Sequence, residues 1–77
     1  MHPNAAKTLI AHVETKIRDG AYTRLAGELA KDLQIPPFSS AELRNALTDS
    51  QIDFKKNWAD PTDPDDSNFQ VTFVPHT

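Results

Sequence analysis

The stretch Tyr22-Thr23-Arg24-Leu25-Ala26-Gly27-Glu28-Leu29-Ala30-Lys31-Asp32-Leu33-Gln34-Ile35-Pro36-Pro37-Phe38-Ser39-Ser40-Ala41-Glu42-Leu43-Arg44-Asn45-Ala46-Leu47 reads as two helices broken by a proline turn. Leu25, Ala26, Leu29, Ala30 and Leu33 recur at helical spacing on one face, with Arg24, Glu28 and Lys31 opposite. With Thr23 as N-cap, the spacing predicts a helix over 23–34. Pro36 biases Ile35 away from helical dihedrals, so the helix stops there. Ser39 followed three residues later by Glu42 has the form of a capping box and opens a third helix. Leu43, Ala46, Leu47 and Ser50 make the inner stripe of that helix, while Ala41, Arg44, Asn45 and Thr48 face outward.

Toward the N-terminus, Ala6, Leu9, Ile10, Val13 and Ile17 fall in one stripe about 100° wide. They predict a helix that starts at Pro3-Asn4, with Asn4 as N-cap, and ends at Asp19-Gly20. Toward the C-terminus the apolar period changes to two. Ile52, Phe54 and Trp58 fall on alternate positions, as do Phe69, Val71 and Phe73. Two half-buried strands are expected, flanking an Asp/Pro-rich loop at 59–68, with Pro75 ending the second. Leu29, Leu43 and Leu47 are expected to be buried together with Ile17 and Phe73.

The chain has 77 residues, room for one domain over 1–77. There is no cysteine, which excludes disulfides, thiolate metal sites and cysteine nucleophiles. The longest apolar run is Leu9-Ile10-Ala11, far short of a membrane span. Cytoplasmic residence is the default expectation for such a sequence. The net charge of -3 is unevenly spread. Residues 1–58 carry all eight basic residues and seven acidic ones, whereas 59–77 carry four aspartates and no base.

The order helix, helix, helix, strand, strand, together with Leu25-Ala26-Gly27-Glu28-Leu29-Ala30, the proline turn and the helix over 40–47, resembles a helix-turn-helix core. The hairpin at 52–74 resembles the wing of winged helix-turn-helix domains. That resemblance covers residues from about 5 to 74 and implies a small α+β fold with three helices followed by a two-stranded wing. It also implies that the third helix enters the DNA major groove, with Arg44 suited to guanine and Asn45 to adenine.

The charges point elsewhere. Wings that touch DNA present Lys or Arg, whereas this loop carries Asp60, Asp63, Asp65 and Asp66, which would repel phosphates. The basic side chains are dispersed. Arg44, Asn45 and Thr48 on the outer third helix, Trp58 at the strand end and the four loop aspartates are therefore expected to form one partner-binding patch. The expected function is that of a small adaptor or inhibitor that docks onto a larger protein, one involved in transcription or another nucleic-acid process. A phage-encoded or mobile-element origin suits a domain of this size. The alternative is a sequence-specific DNA-binding regulator; weak or no nucleic-acid binding and no membrane association are expected.

No catalytic residues, cofactor-binding residues or metal ligands are expected. Of the three histidines, His2 and His76 lie near the ends, and His12 has no second ligand at helical spacing; it is expected to be a half-exposed surface residue. Asp63, Asp65 and Ser67 alternate like calcium ligands, but Asn68 stands where an EF-hand needs glycine and Val74 where it needs glutamate. The two glycines form no phosphate-cradling loop.

Overall fold

The computed structural model describes residues 1–76. The first helix, α1, spans Pro3–Lys16 and continues as a 3-10 turn over Ile17–Asp19. Its N-cap is His2, whose Nδ1 accepts from the Asn4 backbone N–H at 3.1 Å, rather than the expected Asn4. Proline at the first helical position, with its fixed φ and missing donor, moves the cap one residue ahead of it. Gly20 follows with φ 131° and ψ −165°, an extended positive-φ conformation rather than the left-handed cap expected.

The next element departs from the sequence expectation. Tyr22–Leu25 is a strand, β1, and the second helix, α2, covers only Ala26–Leu33. Thr23 caps nothing; the N-cap is Leu25. The cause is long-range pairing. Tyr22, Thr23, Arg24 and Leu25 lie opposite Phe73, Thr72, Val71 and Gln70, and the Thr23 and Thr72 hydroxyls meet at 2.9 Å. Aromatic and β-branched residues suit a pleated surface, and the ladder satisfies backbone groups that a frayed first helical turn would leave to water. At the other end of α2, Gln34 adopts left-handed dihedrals, and Ile35 N–H reaches Ala30 O at 3.0 Å.

The third helix, α3, spans Ser40–Leu47 and carries the expected capping box. Ser39 Oγ accepts from Glu42 N–H and Glu42 Oε1 accepts from Ser39 N–H, both at 3.2 Å. The strands β2, Ile52–Ala59, and β3, Phe69–Pro75, form the hairpin. With β1 they make a three-stranded antiparallel sheet in the order β1-β3-β2, one strand more than the two-stranded wing expected.

The result is a small α+β domain. One face of the sheet presents Phe69, Val71 and Phe73, all fully buried, to a core built from Leu9, Val13, Ile17, Leu29, Leu43 and Leu47. The expected burial of Ile17, Leu29, Leu43, Leu47 and Phe73 is met. Phe38, in the turn before α3, seals the core edge to face against Phe69, with ring centroids 6.3 Å apart. Among the described residues, no helix is long and apolar enough to cross a membrane.

Candidate functional site

The hairpin register decides where the candidate side chains point. Residues directly opposite in an antiparallel pair share a face. Phe54 lies opposite Phe73 and Lys56 opposite Val71, so both belong to the core side. Between Lys56 and Trp58 the register shifts, because Asn57 is an extra, bulged residue. One added residue reverses the alternation. Trp58 therefore lies opposite Gln70, on the face away from the core, and is 48% exposed. Its expected place in line with Ile52 and Phe54 is thus corrected.

The bulge is tied down. Asn57 Nδ2 donates to the Thr72 hydroxyl, which in turn meets Thr23, so a polar row crosses all three strands on the open face. Beside it runs a second row, Leu25, Gln70 and Trp58. Leu25 was expected on the inner stripe of the second helix; the strand turns it outward, and it is not packed against the core cluster. Val74, 36% exposed, extends the same face.

The outward residues of α3 lie on the other side of the sheet. Arg44 and Thr48 border a groove of about 360 Å³ that is lined as well by Leu47, Ile52, Phe54 and His76. Thr48 Oγ1 donates back to Arg44 O at 2.9 Å. His76 Nδ1 lies 2.8 Å from Asp53 Oδ2 at the rim. Asn45 faces a separate hollow beside Met1, Ala6 and Glu42, between α3 and α1. Arg44, Asn45 and Trp58, expected to share one patch, thus occupy three different places.

The aspartates of the loop mostly bind their own chain. Asp60 accepts from Thr62 Oγ1 at 2.7 Å, from Thr62 N–H at 2.9 Å and from Asn68 Nδ2 at 3.0 Å. Asp63 accepts from the N–H groups of Asp65, Ser67 and Asn68 at 3.0, 2.8 and 2.7 Å. Asp66 accepts from the Ser40 hydroxyl and from Ser40 N–H, at the start of α3, and pairs with Lys56 at 3.3 Å. These donors hold all three carboxyls below the ordinary aspartate range: the Thr62 hydroxyl for Asp60, the Asp65 N–H for Asp63 and the Ser40 hydroxyl for Asp66 act most strongly. Asp65 is exposed. The loop is therefore a knot of side chain to backbone bonds, docked at the N-terminus of α3 where its negative charge meets the positive end of the helix. Spacing alone could not show this, because Asp-rich loops of the same composition are also found solvated and unstructured.

Among the described residues, no three His, Asp or Glu side chains converge as metal ligands would. Comparison with protein-family models, with curated proteins and with solved structures finds no match to this chain.

Proposed function

We propose that this chain is a winged-helix-type domain without enzymatic activity that acts as an adaptor or inhibitor by docking onto a larger protein of transcription or another nucleic-acid process. The observation that carries the proposal is Trp58. A bulge turns the one tryptophan of the chain away from the core and sets it in a row with Leu25 and Gln70 on the open sheet face. Tryptophan is over-represented among residues that dominate interface energies, and a half-exposed indole beside leucine is a ready anchor. Asp65 and the remaining loop charge lie just beyond the strand end, where they would steer encounter with a basic partner.

The DNA-reading alternative has less support. Arg44 on α3 and Thr48 at its C-cap are exposed. However, Asp66 occupies the N–H of Ser40 at the helix start, a place where a backbone phosphate would otherwise be held.

The test is affinity purification from the native host with wild-type and Trp58→Ala baits, followed by surface plasmon resonance with the partner recovered. Trp58→Ala is expected to weaken the complex by about 1–3 kcal/mol, chiefly through faster dissociation. Its urea midpoint should stay close to wild type because the side chain contributes little to the core. Wild-type binding by Trp58→Ala together with loss in Arg44→Ala would move the docking surface to α3.

A further inference from the structure

A chain of polar side chains outside both the groove and the open sheet face ties α1 to β1 and α2. His12 Nε2 lies 2.9 Å from the Tyr22 phenol oxygen, and the two rings meet edge to face with centroids 5.6 Å apart. Arg24 Nη1 donates to the same oxygen at 3.2 Å, and Arg24 Nη2 is bonded to Asp32. Tyr22 in turn stacks on Phe73, centroid to centroid 6.2 Å.

Counting protons gives this chain a direction. A phenol has one hydrogen and two lone pairs, and a guanidinium can only donate. Arg24 thus takes one lone pair and leaves the phenol hydrogen free for His12 Nε2. In the neutral Nδ1–H ring the bare Nε2 accepts that hydrogen and all three groups are paired, whereas an Nε2–H ring would fill the second lone pair and leave the phenol hydrogen without a partner among them. If the ring gains a proton, Nε2–H points at the same oxygen, the phenol hydrogen loses its acceptor, and two charged donors converge on one group. The charges facing the ring make this worse. Lys16, one turn further along α1, and Arg24, on β1, are positive, and Asp32 on α2 is already committed to Arg24.

We propose that His12, Tyr22 and Arg24 form a proton-sensitive latch, which holds β1 against α1 while the imidazole is neutral and loosens it when the imidazole takes up a proton. The latch sits where the fold is thinnest. β1 has four residues, is an edge strand, and bonds to the sheet through β3 alone. Loosening it bares one edge of β3 and the ring of Phe73.

Burial first, and then Lys16 and Arg24, push the His12 imidazole below its ordinary value of 6.5. The unfolded chain therefore binds this proton more readily than the folded one. The stability contributed by the latch is complete above 6.5 and is lost as pH falls through the lower folded value.

The experiment is an NMR titration of the labelled full chain between about pH 4.5 and 8. It follows the His12 ring nitrogens and the exchange protection of the β1 amides that bond to β3. The expected results are an Nδ1–H tautomer at pH 8, a His12 midpoint below 6.5, and β1 protection that falls about fivefold as His12 titrates, the worth of roughly one net hydrogen bond. Tyr22→Phe keeps the ring on Phe73 but removes the acceptor and donor, so it should raise the His12 midpoint and abolish the pH dependence of β1. An Nε2–H tautomer, wild-type β1 protection that ignores His12, or a Tyr22→Phe midpoint equal to wild type would each overturn the proposal. His12→Gln provides an independent check: it should show no step in β1 protection over this range, and a retained step would also overturn the latch.

Discussion

Gly20 and Gly27 ask opposite things of a side chain. Gly20 has φ 131° with no other atom close enough to clash with an added Cβ, so what excludes other residues there is backbone conformation rather than space. Gly27 sits in α2, where an added Cβ would meet only Ser67 O, at 3.9 Å, an ordinary contact. Gly20→Ala should therefore destabilise by about 1–3 kcal/mol. Gly27→Ala should stabilise by about 0.5 kcal/mol, because alanine narrows the unfolded ensemble and favours helix. Urea denaturation of the two variants should move in opposite directions, and a stabilised Gly20→Ala would show that residues 17–21 relax into another turn. The helix-period pattern around Gly27 was legible in the sequence. The conformation of Gly20 was not, since asparagine-like, left-handed and extended positive-φ states all favour the same residue.

At the scale of elements, the capping box of α3 shows local chemistry at its most readable. Both of its hydrogen bonds join residues three apart, so the sequence contains the whole motif. The strand β1 is the reverse. Residues 22–25 fit an apolar helical stripe as well as a strand, and the partner that decides between them lies about fifty residues later, at residues 70–73. The bulge at Asn57 is a third kind of case. It makes Lys56 and Trp58 consecutive in the ladder, so that Lys56 faces the core side and Trp58 the open side. Deleting Asn57 should consequently leave Trp58 opposite Gln70 and outward. The fluorescence maximum of this single tryptophan should stay at the long wavelength of an exposed indole, with only a small loss of thermal stability from the missing bond to Thr72. A shift to the short-wavelength emission of a buried indole would show that Asn57 does not set the phase of the strand.

For the molecule as a whole, charge argues against tight nucleic-acid binding. The net charge is -3, and the loop that a DNA-binding wing would lay against phosphates carries four aspartates, one of them at the start of α3. Random duplex DNA at about 0.15 M salt should bind no tighter than roughly 10⁻⁵ M, measured by fluorescence anisotropy. Nanomolar binding to a selected duplex, lost in Arg44→Ala, would restore the DNA-reading alternative. The sequence by itself determined the three helices, the hairpin, the capping box and the core of Ile17, Leu29, Leu43, Leu47 and Phe73. Those features follow from local periods of 3.6 and 2 and from capping chemistry within a few residues. Only the tertiary structure decided the third strand, the outward turn of Trp58, the knotting of the aspartates onto α3, and the chain from His12 to Asp32. Each of these depends on a partner distant in the sequence or on a single-residue slip in register. A pattern of side-chain types carries no record of which distant backbone it will meet.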